Sequence, residues 1–513
     1  MRHRIKARAP RDAAAPRVFD DADTLSSFSS DAAHVGGGFA TGVAFPRTEA
    51  EVSALVTTAR RVLPVGAQSS LTGGATPRGD LVVSTRSLQA IGMPSGGQVR
   101  VGAGVPVSTL QQHLAGERLF YPPAPTFEGA FLGGTIATNA AGPYTFKYGS
   151  TRPWVSAISV VLANGDVLDI ERGAVSASPA GRIDIERTSG DIVSVPLPSY
   201  VMPDVVKLSA GYFGRCEAAD LIDLFIGSEG TLGVIVEASV RVASRPRRCV
   251  ALVECQSDTQ AVAVTRDLRL HAAEAWAGRG PLDVAAVEYI DDCALAVLPD
   301  EAFARAGVNR PGPGAALLLV QIEFQDDEDA SLAAFDRLLQ DCGVRMSPRV
   351  AVVGDERGAR QLIELREAVS AAVNALVGAA KAAHPAIEKT AGDMIVPFEQ
   401  VLESIAVYRK AFERRQLRYA IWGHISDGNL HPNVLPQRLE DVERGREALL
   451  EIAAAITALG GAPLAEHGVG RSPLKQRLLR ELYGESGIEQ MRAVKRALDP
   501  EWKMSPGVLF PER

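Results

Sequence analysis

Cysteine is scarce in this 513-residue chain: Cys216, Cys249, Cys255, Cys293 and Cys342, with no CxxC pair among them. An odd count without paired spacing excludes a disulfide framework and points to the reduced thiols of a cytoplasmic protein. Long apolar runs are missing as well. No stretch approaches the ~20 apolar residues that span a bilayer, so the protein reads as soluble, at most peripheral at a membrane. Excess basic charge is absent too, with a formal net charge of -7 and scattered Lys and Arg, which gives no reason to expect nucleic acid as a partner. The N-terminus carries Arg2, Arg4, Lys6, Arg8 and Arg11 without the apolar run of a secretory signal, and reads as a short mobile arm or an organellar presequence. The glycine loop at 66–74 lacks the lysine of a P-loop and does not match GxGxxG, so no NTPase or dinucleotide Rossmann site follows from it.

What is present begins with length and glycine. A chain of this size is expected to form two or three domains, and its 48 glycines come in clusters, as where backbone approaches a cofactor closely. Residues 43–245 alternate short β-like runs with glycine loops. Glu49 to Arg61 reads as a helix with Val52, Leu55, Val56 and Ala59 on one face. The loop Gly66-Ala67-Gln68-Ser69-Ser70-Leu71-Thr72-Gly73-Gly74 then offers N–H groups and hydroxyls to a phosphate, although taken alone it reads better as a generic tight loop. Ser108 is expected to cap a helix running to Leu119. Small residues from Gly133 to Gly142 leave room for a flat ring or a pyrophosphate, or for close helix packing. Asn164-Gly165 between two apolar runs is the strongest hairpin signal in the chain.

Beyond Arg245-Pro246-Arg247-Arg248 the pattern changes. It reads strand (249–255), helix (258–276), strand (283–290), strand (316–324), helix (329–341) and strand (348–353). Helices are expected at about 355–380, 398–416 and 439–459, with His384-Pro385 ending the first.

Only eight His occur, and two of them, His424 and His431, lie in Gly423-His424-Ile425-Ser426-Asp427-Gly428-Asn429-Leu430-His431. If Asp427-Gly428 forms a two-residue hairpin turn, His424 faces His431 with Cβ atoms roughly 5 Å apart, able to share one metal ion such as Zn²⁺. A polar hairpin with two unrelated surface histidines fits these nine residues as well. Glu466-His467, in a glycine-flanked turn, offers a carboxylate as third ligand. The diverging side chain of His467 is then free to act as acid or base, and the other reading is an acidic first turn of a helix.

Four segments between residues 64 and 235 (PVGAQSSLTGG, PPAPTFEGAFLGGTIATNAAG, KYGSTRPWVSAISVVLANGDVL and LFIGSEGTLGVI) together resemble the FAD-binding domain of the vanillyl-alcohol-oxidase, or PCMH-type, flavoproteins. WGHISDGNLHPNV and GGAPLAEHGVGRSPLK resemble the C-terminal signature of their FAD-linked D-2-hydroxy-acid dehydrogenase branch. The resemblance implies an α+β protein. An arm at 1–40 precedes a PCMH-type FAD domain of two α/β subdomains at 41–245. A cap with a ferredoxin-like core follows at 246–460, and a segment at 461–513 returns to the FAD domain. It implies that Gly66, Ser69, Ser70 and Thr72 hold the pyrophosphate, and that Gly133, Gly134, Thr138, Asn139 and Ile235 line the flavin. FAD is expected to be noncovalent, since Gln68-Ser69-Ser70 stands where some relatives carry an attaching His. His424, His431 and Glu466 would bind a divalent metal, zinc being the expected one, and His467 would take the hydroxyl proton. Arg366 would hold the substrate carboxylate, an exposed charge paired with Glu364 or Glu367 being the other reading. Lys389 is a second candidate.

Where the branch reads asparagine-proline-glycine-lysine, this chain has Ser505-Pro506-Gly507-Val508, a departure expected near the flavin. The implied partners are a small 2-hydroxy acid, an electron acceptor (quinone, cytochrome or electron-transfer flavoprotein) and a second copy in a homodimer. An oxidase or ether-lipid synthase of the same fold, a flavin subunit of a larger glycolate oxidase, and a flavin-free metallohydrolase are the alternatives.

Overall fold

The computed structural model describes residues 2–11, 16–123, 125–214, 219–324 and 327–511. Cys216 lies outside them; the other four cysteines are free thiols.

The first part of the FAD-binding half is a mainly parallel sheet, with Val18–Phe19 as an antiparallel edge. The Thr48 hydroxyl accepts the Glu51 N–H and starts the helix Glu49–Thr58, whose Val52, Leu55 and Val56 are buried against the sheet. Strands Phe39–Ala44, Arg78–Ser84 and Val62–Val65 run parallel, so the loop at 66–74 leaves the carboxyl end of a strand. In open α/β sheets that end is where ligands settle. The second part is an antiparallel sheet of Gln98–Gly102, Val234–Arg241, Val155–Val161 and Val167–Glu171, in that order. Its Asn164-Gly165 hairpin forms: Leu162 N–H donates to Asp166 O, and Gly165 takes φ +88°.

Two local expectations fail here. Helix Val107–Ala115 begins after Pro106 without a side-chain cap. The N–H groups of Val107 and Ser108 donate instead to Ala130 and Glu128 carbonyls, which makes a capping hydroxyl redundant. The basic N-terminus is not a mobile arm. Arg4–Lys6 is a strand parallel to Arg182–Glu186, and Arg8 ion-pairs with Glu49 at 2.6 Å and Asp169 at 2.5 Å. Opposite charge gives the arm a place to lie.

The cap matches its expected order closely: Arg247–Cys255, helix Asp258–Trp276, Asp283–Ile290, Ala316–Phe324, helix Glu328–Asp341, Arg349–Ala351. The strands order 4-1-3-2 as in a ferredoxin-like fold, and all pairs are antiparallel. Alternation explains the apolar runs. Cys249, Ala251 and Val253 pack with Ala261, Val264 and Leu268 of one helix. Val250 and Leu252 pack on the opposite face with Leu362, Leu365 and Val369 of the long helix Glu356–Ala383. Covering both faces leaves no room for polar alternation. That long helix ends at His384-Pro385, as expected. The histidine hairpin, Tyr419–His424 and Asn429–Val434, extends this sheet by pairing with Asp283–Ile290. The chain then returns through Leu439–Ala458 and the helix Pro473–Leu498, broken at Gly484, to the FAD-binding half. There Arg471 pairs with Asp80 at 2.8 Å and Ser505 N–H donates to Val62 O.

Candidate active site

A cavity of about 500 Å³ is walled by the glycine loops of the FAD-binding half and by the Glu466-His467 turn. Gly66, Ser69, Ser70, Gly133, Gly134, Thr138 and Ile235 line it. Thr72 and Asn139 do not. The Thr72 hydroxyl lies 3.2 Å from Ser70 Oγ and packs against Gly470. Asn139, in the left-handed region at φ +49°, accepts the Arg152 N–H through Oδ1. Ser505 and Val508 are buried outside the lining, contrary to the expected place beside the flavin.

The residues suit FAD. The N–H groups of Gln68, Ser69, Ser70 and Leu71 find no acceptor among the described residues, leaving a row of donors suited to a pyrophosphate. A Cβ built on Gly134 meets nothing within 4 Å, so this helix presents bare backbone to the cavity, whereas one on Gly133 would lie 2.6 Å from Ala103 Cβ. Gly134→Leu should therefore fold, its side chain having open space, yet purify without yellow colour. A variant that retains FAD at wild-type stoichiometry would contradict this placement.

Behind Glu466 and His467, and outside the cavity lining themselves, His424 and His431 meet, though not by the expected turn. Ile425–Asp427 is a 3-10 turn and Gly428 sits at φ +81°, where a Cβ would lie 2.1 Å from Val396 O. The loop thus spans four residues, and His424 pairs with Asn429 while His431 pairs with Trp422. Both imidazoles still share a face, diagonally, with ring centroids 5.5 Å apart. Diagonal neighbours, two residues off register, remain within reach of each other.

Glu466 Oε1 stands at the centre. It is 3.4 Å from His424 Nε2, 3.4 Å from His431 Nε2 and 3.6 Å from His467 Nε2. Glu466 and His467 therefore converge, correcting the expected divergence. The reason is Asp393, whose Oδ2 accepts the N–H groups of both residues, at 2.9 and 2.8 Å, and folds the turn inward. Asp393 also faces the Nδ1 atoms of His431 and His467, at 3.5 and 3.3 Å. With His431, Glu466 and His467 it offers ligand atoms that all lie within 4.8 Å of one another, a group that could hold a metal ion.

The donors suit a divalent ion. An ion bound at about 2.1 Å in tetrahedral geometry separates its ligands by about 3.4 Å. His424 Nε2 is buried and makes no hydrogen bond, while its Nδ1 is bonded to Glu288. That carboxylate fixes the ring and, outweighing burial, raises the imidazole to about 9, so Nε2 carries a proton that a bound cation would displace. Burial depresses the His467 imidazole to about 4, only partly opposed by Asp393, so the ring is neutral and able to accept a proton. Burial works against the Glu466 charge, but Lys207 and His424 outweigh it and hold the carboxyl well below its usual range.

Arg366 is buried, and its partner is neither Glu364 nor Glu367. Its Nε lies 2.5 Å from Glu288 Oε2, directly behind His424. Lys389 donates to Asn374 Oδ1 at 2.8 Å, and burial lowers its amine to about 8.

Sequence reasoning gave no role to Glu288, Asp393, Lys207 or Glu229. Glu229 accepts the Val469 and Gly470 N–H groups at 2.8 Å each, and burial raises it to about 7. The legible signal for Glu288 is a carboxylate in a strand whose eight residues are all buried.

Known proteins agree with this architecture. The profile described as "FAD binding domain" matches residues 40–171, and "FAD linked oxidases, C-terminal domain" matches residues 244–509. The chain is 27% identical to D-2-hydroxyglutarate dehydrogenase of Stutzerimonas stutzeri (strain A1501), over 96% of each chain. It is 28% identical to glycolate oxidase subunit GlcD of Bacillus subtilis (strain 168), over 96% of this chain and 94% of that one. A solved alkyldihydroxyacetonephosphate synthase superposes with a TM-score of 0.60 at 14% identity, over 95% of this chain and 82% of that one, a likeness of fold. A flavin-free hydrolase is set aside by the FAD-binding domain, and with the oxidase profile spanning more than half its length the chain belongs to the FAD-linked oxidases, in the D-2-hydroxy-acid dehydrogenase branch of the PCMH-type flavoproteins.

Proposed function

We propose that the protein oxidises a small D-2-hydroxy acid to the 2-oxo acid, with noncovalent FAD and a divalent cation, zinc being the best fit to the donors. One observation carries the reading: a single cavity runs from the cofactor loops to Glu466 and His467, where three imidazole nitrogens surround one carboxylate oxygen. The D-2-hydroxyglutarate named for one relative and the glycolate named for another support the substrate class.

His424, His431 and Glu466 would hold the cation. When bound, FAD supplies a hydride acceptor and the cation supplies Lewis acidity at the substrate hydroxyl. The remaining work falls to the chain. Asp393 opposite Nδ1 keeps His467 Nε2 free to accept the hydroxyl proton. As that O–H bond breaks, the C2 hydrogen leaves with its electron pair and C2=O forms. Arg366 contacts Glu288 through Nε, and its terminal nitrogens make no other ion pair or hydrogen bond among the described residues. Arg366 does not line the cavity, and in this reading a substrate reaching past His424 would meet these nitrogens as a fork for its carboxylate.

Anaerobic titration of the yellow protein with paired D- and L-2-hydroxy acids tests the reading. Bleaching by D enantiomers, or by achiral glycolate, is expected. Bleaching by none of them would reject it. A relative named as a subunit favours a second reading, in which the flavin bleaches with glycolate but turnover requires a partner chain.

A further inference from the structure

Lys207 lies between the strand Ile192–Pro196 and the helix Leu221–Phe225, and its ammonium is fully enclosed. Nζ donates to Glu466 Oε2 at 2.9 Å and sits 3.1 Å from Asp427 Oδ2. Burial works against the ammonium charge; the two carboxylates outweigh it and raise the amine above its ordinary value. Three distant parts of the chain meet at this one nitrogen: the FAD-binding half, the turn of the histidine hairpin and the C-terminal turn.

The consequence lies in how the Glu466 carboxylate is divided. Oε1 faces the three imidazole nitrogens, while Oε2 has Lys207 as its hydrogen-bond donor. Without the ammonium, nothing else among the described residues holds Oε2, and the carboxylate is free to turn. We propose that Lys207 is a positioning residue that pins Glu466 with Oε1 toward His424, His431 and His467, and so sets the affinity of this cluster for a divalent cation. The inference rests on the metal-assisted reading above.

Charge and positioning predict opposite signs. An ammonium beside the cluster opposes cation binding electrostatically, so its removal should tighten binding if charge is all that matters. If it positions a ligand, removal should weaken binding, by about the 10–100-fold typical of groups that hold a metal ligand in place.

The experiment compares flavin-loaded wild-type protein with Lys207→Met. Zn²⁺ affinity is read by chelator competition, and the electron paramagnetic resonance spectrum is recorded with saturating Co²⁺. The expected result is an unchanged FAD content, a Zn²⁺ affinity lower by about 10–100-fold, and an altered Co²⁺ spectrum, which a purely structural role would not produce. Wild-type or tighter affinity with an unaltered spectrum overturns the inference alone; a wild-type protein that binds no divalent cation overturns the underlying reading with it. Should Lys207→Met fail to yield folded flavoprotein, Lys207→Arg replaces it. Its wider guanidinium keeps the charge but displaces the Glu466 carboxylate, so weaker Zn²⁺ binding supports positioning and wild-type binding overturns it.

Discussion

His467→Ala is expected to retain FAD and the cation while flavin reduction by the hydroxy acid slows by about 10²–10⁴-fold, the usual contribution of a positioned general base. That corresponds to about 3–5 kcal/mol of barrier. Three features make the effect large. The imidazole is neutral because burial disfavours its cation, so the proton-accepting form is populated. Its Nδ1 faces Asp393 at 3.3 Å, which orients the ring and stabilises the imidazolium once formed. Its Nε2 lies 3.6 Å from Glu466 Oε1, beside the atom that would share the cation with the substrate hydroxyl. Single-turnover reduction measured by stopped flow checks the claim, and a rate within a few-fold of wild type would remove His467 from the chemistry.

Glu466→Gln is expected to cost more in metal than in fold. The amide has the shape of the carboxylate and can still accept from Lys207, but it offers no charge to a cation. Loss of a partner behind a ligand already costs about 10–100-fold in affinity, so loss of the ligand itself should exceed about 100-fold. His424 and His431 remain, and FAD should stay bound because the glycine loops do not depend on this group. Metal analysis after gel filtration, paired with flavin absorbance, separates the two cofactors. Full metal occupancy in this variant would show that the cation, if present, is held elsewhere.

The cap was the most legible part of the fold. Strands such as Arg247–Cys255 and Ala316–Phe324 are buried on both faces, and their long apolar runs announce themselves without any tertiary knowledge. The Glu49–Thr58 helix and the Asn164-Gly165 turn were equally readable because their signals are local. Register was harder. Asp427-Gly428 suggests a two-residue turn, yet backbone crowding at Val396 O and the 3-10 turn Ile425–Asp427 shift the pairing by two residues, which keeps both histidines on one face. Legibility failed wherever a role depends on a distant partner. Lys207 and Glu466 are 259 residues apart, and Glu288 and His424 are 136 apart. Nothing in the sequence around Lys207 marks it as buried. The Ser108 cap and the mobile arm failed for the same reason, since neighbouring backbone and acidic side chains from elsewhere supplied what local reasoning left open.

The most direct measurement follows the flavin absorbance under anaerobic conditions while the wild-type protein is mixed with its D-2-hydroxy acid. It is made before chelation, after removal of divalent ions, and after Zn²⁺ is returned. The expected result is rapid bleaching, then loss of bleaching with FAD still bound, then recovery. Bleaching that proceeds undiminished on the metal-free flavoprotein would contradict the central claim that the cavity and the His424, His431 and Glu466 cluster form one site.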